Sequence, residues 1–88
     1  MAFYSVELKP SVEKDLRVIP KRTVGRLLLQ MEGLAADPFP SKMVKLAGAE
    51  ALCRLRVGDY RIIYAVDTRV FAVTVHYVRH RREAYRGS

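Results

Sequence analysis

Three arginines, Arg54, Arg56 and Arg61, stand in the stretch Leu52 to Tyr64, LCRLRVGDYRIIY, each among apolar residues. A guanidinium is always charged, planar and forked, which suits phosphate well. Whether the three can act together depends on the face they share. Gly58-Asp59, lying between two alternating runs, is a two-residue hairpin signal, and such a turn sets the register. Val57 then opposes Tyr60, Arg56 opposes Arg61, Leu55 opposes Ile62, and Arg54 opposes Ile63. One face carries Cys53, Leu55, Val57, Tyr60, Ile62 and Tyr64; the other carries Arg54, Arg56, Arg61 and Ile63. Like charges directly opposite each other destabilise a sheet by up to ~1 kcal/mol. Asp59 is in the turn, so nothing acidic on the hairpin offsets that cost. A single arginine would be read as a solvated residue with its stem flat on the sheet. Three of them, with a histidine and a basic tail nearby, point to a concave anion site.

The remaining elements must hold this hairpin. Phe3 to Leu8 alternates and carries aromatic and β-branched residues, so it reads as a strand whose Tyr4, Val6 and Leu8 face the core. Pro10-Ser11 breaks it, with Ser11 as a helix N-cap, and Val12 to Val18 forms a short helix. Pro20 suits the first position of a second helix. There Val24, Leu27, Leu28, Met31, Leu34 and Ala35 recur at helical spacing as a core stripe, ended by Asp37-Pro38. Phe39 to Glu50 has no period and reads as a connector; its Lys42 and Lys45 are expected to be solvated loop lysines rather than specific phosphate contacts.

Val70 to Val78 is the last strand, with Phe71, Val73, Val75 and Tyr77 as its core face. Thr74 and His76 then join the arginine face, and a register pairing Ile62 with Val75 puts His76 opposite Arg61. The order β-α-α-β-β-β predicts an α+β fold: two N-terminal helices packed on one face of a mainly antiparallel four-stranded sheet.

Size and composition limit the functional classes. The 88 residues are the size of one small domain, expected to span 1–88. No apolar run approaches the ~20 residues needed to cross a bilayer. MAFYSVELKP lacks a basic region followed by an apolar one, so a cytoplasmic protein is expected. Cys53 is the sole cysteine, which leaves no intrachain disulfide and no Cys/His zinc spacing; inside an alternating strand it reads as a small buried hydrophobe rather than a nucleophile. A net charge of +7 calls for an anionic partner. The basic residues of the second half lie on strands rather than on one face of a long helix, which disfavours a membrane surface.

RLRVGDYRIIY (Arg54 to Tyr64) and VRHRREAYR (Val78 to Arg86), with the element order and length, resemble the RelE-type toxins of the RelE/ParE superfamily, the toxic halves of bacterial and archaeal toxin–antitoxin pairs. The resemblance implies one RelE-like toxin domain that acts as a metal-independent endoribonuclease without a cofactor. It would cut messenger RNA in the ribosomal A site by attack of the 2′-hydroxyl on the adjacent phosphate, leaving a 2′,3′-cyclic phosphate. By position, the family's basic catalytic residues fall on Arg54, Arg56 and Arg61, its tail arginine on Arg81 with Arg82 as the alternative, and its tyrosine on Tyr85.

The best-studied pattern has lysines where this chain has Arg54 and Arg56. An arginine does not give up its proton, so neither can be the general base. The base is left to Tyr85, His80 or His76, in that order. Arg61 and Arg81 would clamp the scissile phosphate, while Arg54 and Arg56 hold flanking phosphates, with Arg82 and His76 in support. A histidinium or an arginine-linked water are the alternatives for protonating the leaving 5′-oxygen. The implied partners are a cognate antitoxin, in a toxin–antitoxin heteromer of higher order, and the ribosome with its message. Two alternatives stay open on the same fold: a ParE-like, non-catalytic inhibitor of DNA gyrase, and an inactive nucleic-acid-binding relative.

Overall fold

The computed structural model describes residues 3–48 and 51–82. Seven elements follow one another: β1 Ser5–Leu8, α1 Pro10–Arg17, α2 Lys21–Gly33, β2 Val44–Lys45, β3 Leu52–Val57, β4 Tyr60–Asp67 and β5 Ala72–His80. The α+β fold is as expected, but the sheet has five strands, ordered β1-β5-β4-β3-β2. The additional strand lies in the connector, where Val44 and Lys45 pair antiparallel with Arg54 and Cys53. Two residues are too few to show the alternation by which a strand is recognised. Neighbouring strands are antiparallel except β1, which runs parallel to β5.

The hairpin register is the one the turn dictates, from Val57 opposite Tyr60 to Arg54 opposite Ile63. Gly58 has φ +60°, as the first central residue of a type II′ turn requires. Leu27, Met31 and Leu34 of α2 and its last turn pack with Val12, Leu55, Ile62, Tyr64, Val73 and Val75 in one core, all nearly or fully buried. Val6 of β1 and Tyr4 just before it close the core, while Leu8 is 38% exposed. The Tyr64 hydroxyl is deep in this core and donates to the Pro38 carbonyl at 2.8 Å, tying the connector down. Burial, aided by Cys53 and Asp37, pushes its pKa well up.

Helix starts differ in detail from expectation. α1 is capped by Lys9 with Pro10 in its first turn, and Pro20 is the residue before α2 rather than within it. Ser11 is not the cap: its hydroxyl donates to the His76 carbonyl across the molecule. β1 covers only the first half of β5, Ala72 to Val75. α1 lies alongside the second half, where Asp15 Oδ2 accepts the Val78 N–H at 2.9 Å. Polar side chains of α1 thus satisfy edge groups that a shorter β1 leaves unpaired. Among the described residues no helix is long and apolar enough to cross a membrane.

The last strand departs most from expectation. It begins at Ala72, because Phe71 has φ 54°, in the left-handed region, and is 46% exposed. Ile62 pairs with Val78, not with Val75, and Arg61 with Arg79, not with His76. Ile63 opposes Tyr77 while Tyr64 opposes Val75, so His76 is the extra residue of a β-bulge. One extra residue reverses the alternation beyond it. Val78 therefore takes the core position and Tyr77 moves to the other face.

Candidate nucleic-acid interface

The basic part of the face away from the helices is built by two rows across β3, β4 and β5. Residues directly opposite one another in adjacent strands share a face. One row is Arg56, Arg61 and Arg79; the next is Arg54, Ile63 and Tyr77. Arg54, Arg56 and Arg61 are thus brought together, and among the described residues none forms an ion pair with a carboxylate. Arg56 is exposed and its Nε donates to the Gly58 carbonyl at 3.2 Å, which fixes its stem near the hairpin tip. Arg61 is half-buried in the middle of the row. Its Nη1 is out of solvent with no hydrogen-bond partner among the described residues. A desolvated guanidinium nitrogen without an acceptor is costly, and an anion at this spot would relieve the cost.

Arg79 is a member of the row that the alternation pattern concealed. Its Nη1 donates to Asp15 Oδ2 at 2.9 Å and to the Val78 carbonyl at 3.1 Å, and its guanidinium lies 4.4 Å from the Tyr77 ring centroid. The signal for it was in the valines: 73, 75 and 78 step by two and then by three.

The remaining candidates are dispersed. Arg81 sits at the hairpin tip, where its N–H donates to the Asp59 carbonyl at 2.7 Å and its side chain stands 3.9 Å from the Asp59 carboxylate. Both side chains of that pair are more than half exposed, so it is a weak tether. His80 pairs with Tyr60 on the helix side of the sheet, edge-on at 5.2 Å between ring centroids, and its Nδ1 accepts the Arg82 N–H at 3.3 Å. It is therefore across the sheet from Arg61. His76 occupies the bulge. Tyr85 lies outside the described residues. Cys53 is buried on the core face, and burial raises its thiol pKa despite the opposing pull of Lys45, which makes it a poor nucleophile.

Two helices packed on one face of the sheet and a row of arginines on the other define a small α+β module with a strongly basic open face. Residues 6–85 match the family model described as the ParE toxin of type II toxin–antitoxin systems, and the chain belongs to that family. Within the RelE/ParE superfamily it is a RelE-type toxin. It is 27% identical to RelE1 of Methanocaldococcus jannaschii, over 94% of this chain and 96% of that one. Its structure resembles the archaeal RelE–RelB complex from Pyrococcus horikoshii OT3, with a TM-score of 0.81, 31% identity, and coverage of 90% of this chain and 96% of the other. It also resembles the RelB–RelE antitoxin–toxin complex from Methanococcus jannaschii, with a TM-score of 0.75, 25% identity, and coverage of 92% and 96%.

Proposed function

We propose that this toxin is a metal-independent endoribonuclease that cuts messenger RNA in the ribosomal A site. The observation that carries the proposal is the row of Arg56 opposite Arg61, with a buried Arg61 nitrogen that has no acceptor among the described residues. Arg61 and Arg81 bind the non-bridging oxygens of the scissile phosphate. There they stabilise the charge of the five-coordinate transition state. Arg54 and Arg56 hold flanking phosphates and align the 2′-oxygen with the bond to be broken. The 2′-oxygen attacks phosphorus as its proton passes to the phenolate of Tyr85, and the bond to the 5′-oxygen breaks as that oxygen takes a proton from an arginine-linked water. The products are a 2′,3′-cyclic phosphate and a 5′-hydroxyl. His80 is disfavoured as the base by its place on the helix side of the sheet.

The Pyrococcus and Methanococcus relatives are complexes with RelB. On that ground a RelB-like antitoxin is the proposed partner, with an acidic segment matched to the net charge of +7. The proposed compartment is the cytoplasm, where the ribosome is.

The test is induction in cells followed by mapping of messenger RNA ends. New ends inside translated codons, absent for Arg61→Ala and strongly reduced for Tyr85→Phe, are expected. Intact messages together with stabilised gyrase–DNA breaks would overturn the proposal in favour of a ParE-like, non-catalytic inhibitor of DNA gyrase.

A further inference from the structure

We propose that Tyr77 is a stacking platform for one nucleobase of the bound message, set between the arginine row and a row of small side chains. This inference deepens the RNA function proposed above and rests on it. Tyr77 reaches the open face only because of the bulge at His76, and there it stands one row from Arg61: Arg61 pairs with Arg79, and Ile63, two residues on, pairs with Tyr77. Two residues of strand span ~7 Å, so the base of a nucleotide whose phosphate lies at Arg61 can reach the ring.

The ring is held in place before any ligand arrives. The Arg79 guanidinium lies 4.4 Å from its centroid, and Arg79 is itself anchored by Asp15 Oδ2 at 2.9 Å. A fixed ring loses little freedom on binding. Ile63, directly opposite, is only 5% exposed although it faces away from the helices, so the ring stands in apolar surroundings. On the side away from Arg79 the next row is Leu52, Ala65 and Thr74. Ala65 and Thr74 are short, and a hollow of about 430 Å³ opens there, lined also by Asp67 and Ala72. The open face thus has a charged end suited to the backbone and a neutral end suited to bases. Every base has a π-face, so such a platform accepts any base.

Binding of a short labelled oligoadenylate, 2′-O-methylated so that it cannot be cut, is compared with binding of the same strand carrying an abasic residue at each position in turn. The proteins are the wild type, Arg61→Ala, Tyr77→Phe and Tyr77→Leu, and each variant's thermal midpoint verifies folding. Tyr77→Leu keeps an apolar cover beside Ile63 and removes the π-face. For the wild type, one abasic position is expected to weaken binding roughly ten-fold. Tyr77→Phe is expected to keep that penalty. Tyr77→Leu is expected to bind the intact strand roughly ten-fold more weakly and to show no abasic penalty, as two partners of one contact must. Its log–log salt slope should stay that of the wild type, whereas Arg61→Ala flattens the slope by ~0.7.

Wild-type binding that no abasic position weakens, a result that needs no variant to fold, would overturn the inference while leaving the function proposed above intact. So would an abasic penalty that persists in Tyr77→Leu. Failure of the wild type to bind the strand, or binding that ignores Arg61→Ala, would overturn both.

Discussion

Arg61 bears two costs in the folded chain: it faces Arg56 directly, and one of its nitrogens is desolvated without an acceptor among the described residues. An anion bound at the row would relieve both costs. Arg61→Leu should therefore abolish messenger cleavage and also raise the stability of the free toxin by about 1 kcal/mol, read from the urea midpoint. A fall in stability would mean that the guanidinium is serving the fold instead. Tyr64 is the opposite case, a polar group fully used by the fold. Its pKa is raised in the native state, so the stability it contributes is present below pH 10, the ordinary phenol value, and drains away as pH climbs above it. Tyr64→Phe should cost about 1 kcal/mol near neutral pH, through the lost bond to Pro38. It should also flatten the alkaline decline in stability, as followed by denaturant titrations at several pH values.

At the scale of elements, the hairpin and the last strand obey different rules. The hairpin was readable because its register follows from a two-residue turn, a local constraint. Gly58 enforces it through φ +60°, and a Cβ there would meet only Arg26 guanidinium nitrogens at 3.7 and 3.8 Å, an ordinary contact. Gly58→Ala should therefore cost only the backbone strain, roughly 1–2 kcal/mol in thermal or urea unfolding. The last strand could not be read the same way. Alternation predicts Phe71, Val73, Val75 and Tyr77 as its core side, whereas the bulge at His76 puts Val78 inside and Tyr77 and Arg79 on the arginine face. The bulge lies where β1 ends and α1 takes over the edge, with Ser11 bonded to the His76 carbonyl and Asp15 to the Val78 N–H. These contacts span more than 60 residues of sequence, and local pattern is silent on them. Asp15→Ala should leave the Val78 amide unpaired, cost about 1–3 kcal/mol, and speed hydrogen exchange at Val78 more than at Ile62.

For the whole molecule, the net charge of +7 and the arginine face act together. Charge balance alone gives attraction to any polyanion. The sheet concentrates that attraction on one surface. If Arg54, Arg56 and Arg61 each take one phosphate, the log–log salt slope for single-stranded RNA should be about −2. A slope near zero, measured by anisotropy across a salt series, would mean that the face does not bind a backbone at all.

Local chemistry in the sequence was sufficient for the class of fold, the α2 core stripe, the hairpin register and the gathering of Arg54, Arg56 and Arg61, because each depends on neighbours a few residues apart. Only the tertiary structure decided the two-residue edge strand, the bulge at His76, the place of His80 on the helix side and the entry of Arg79 into the arginine row. Those depend on which distant backbone groups find partners, and a one-residue slip in a single strand is enough to exchange its two faces.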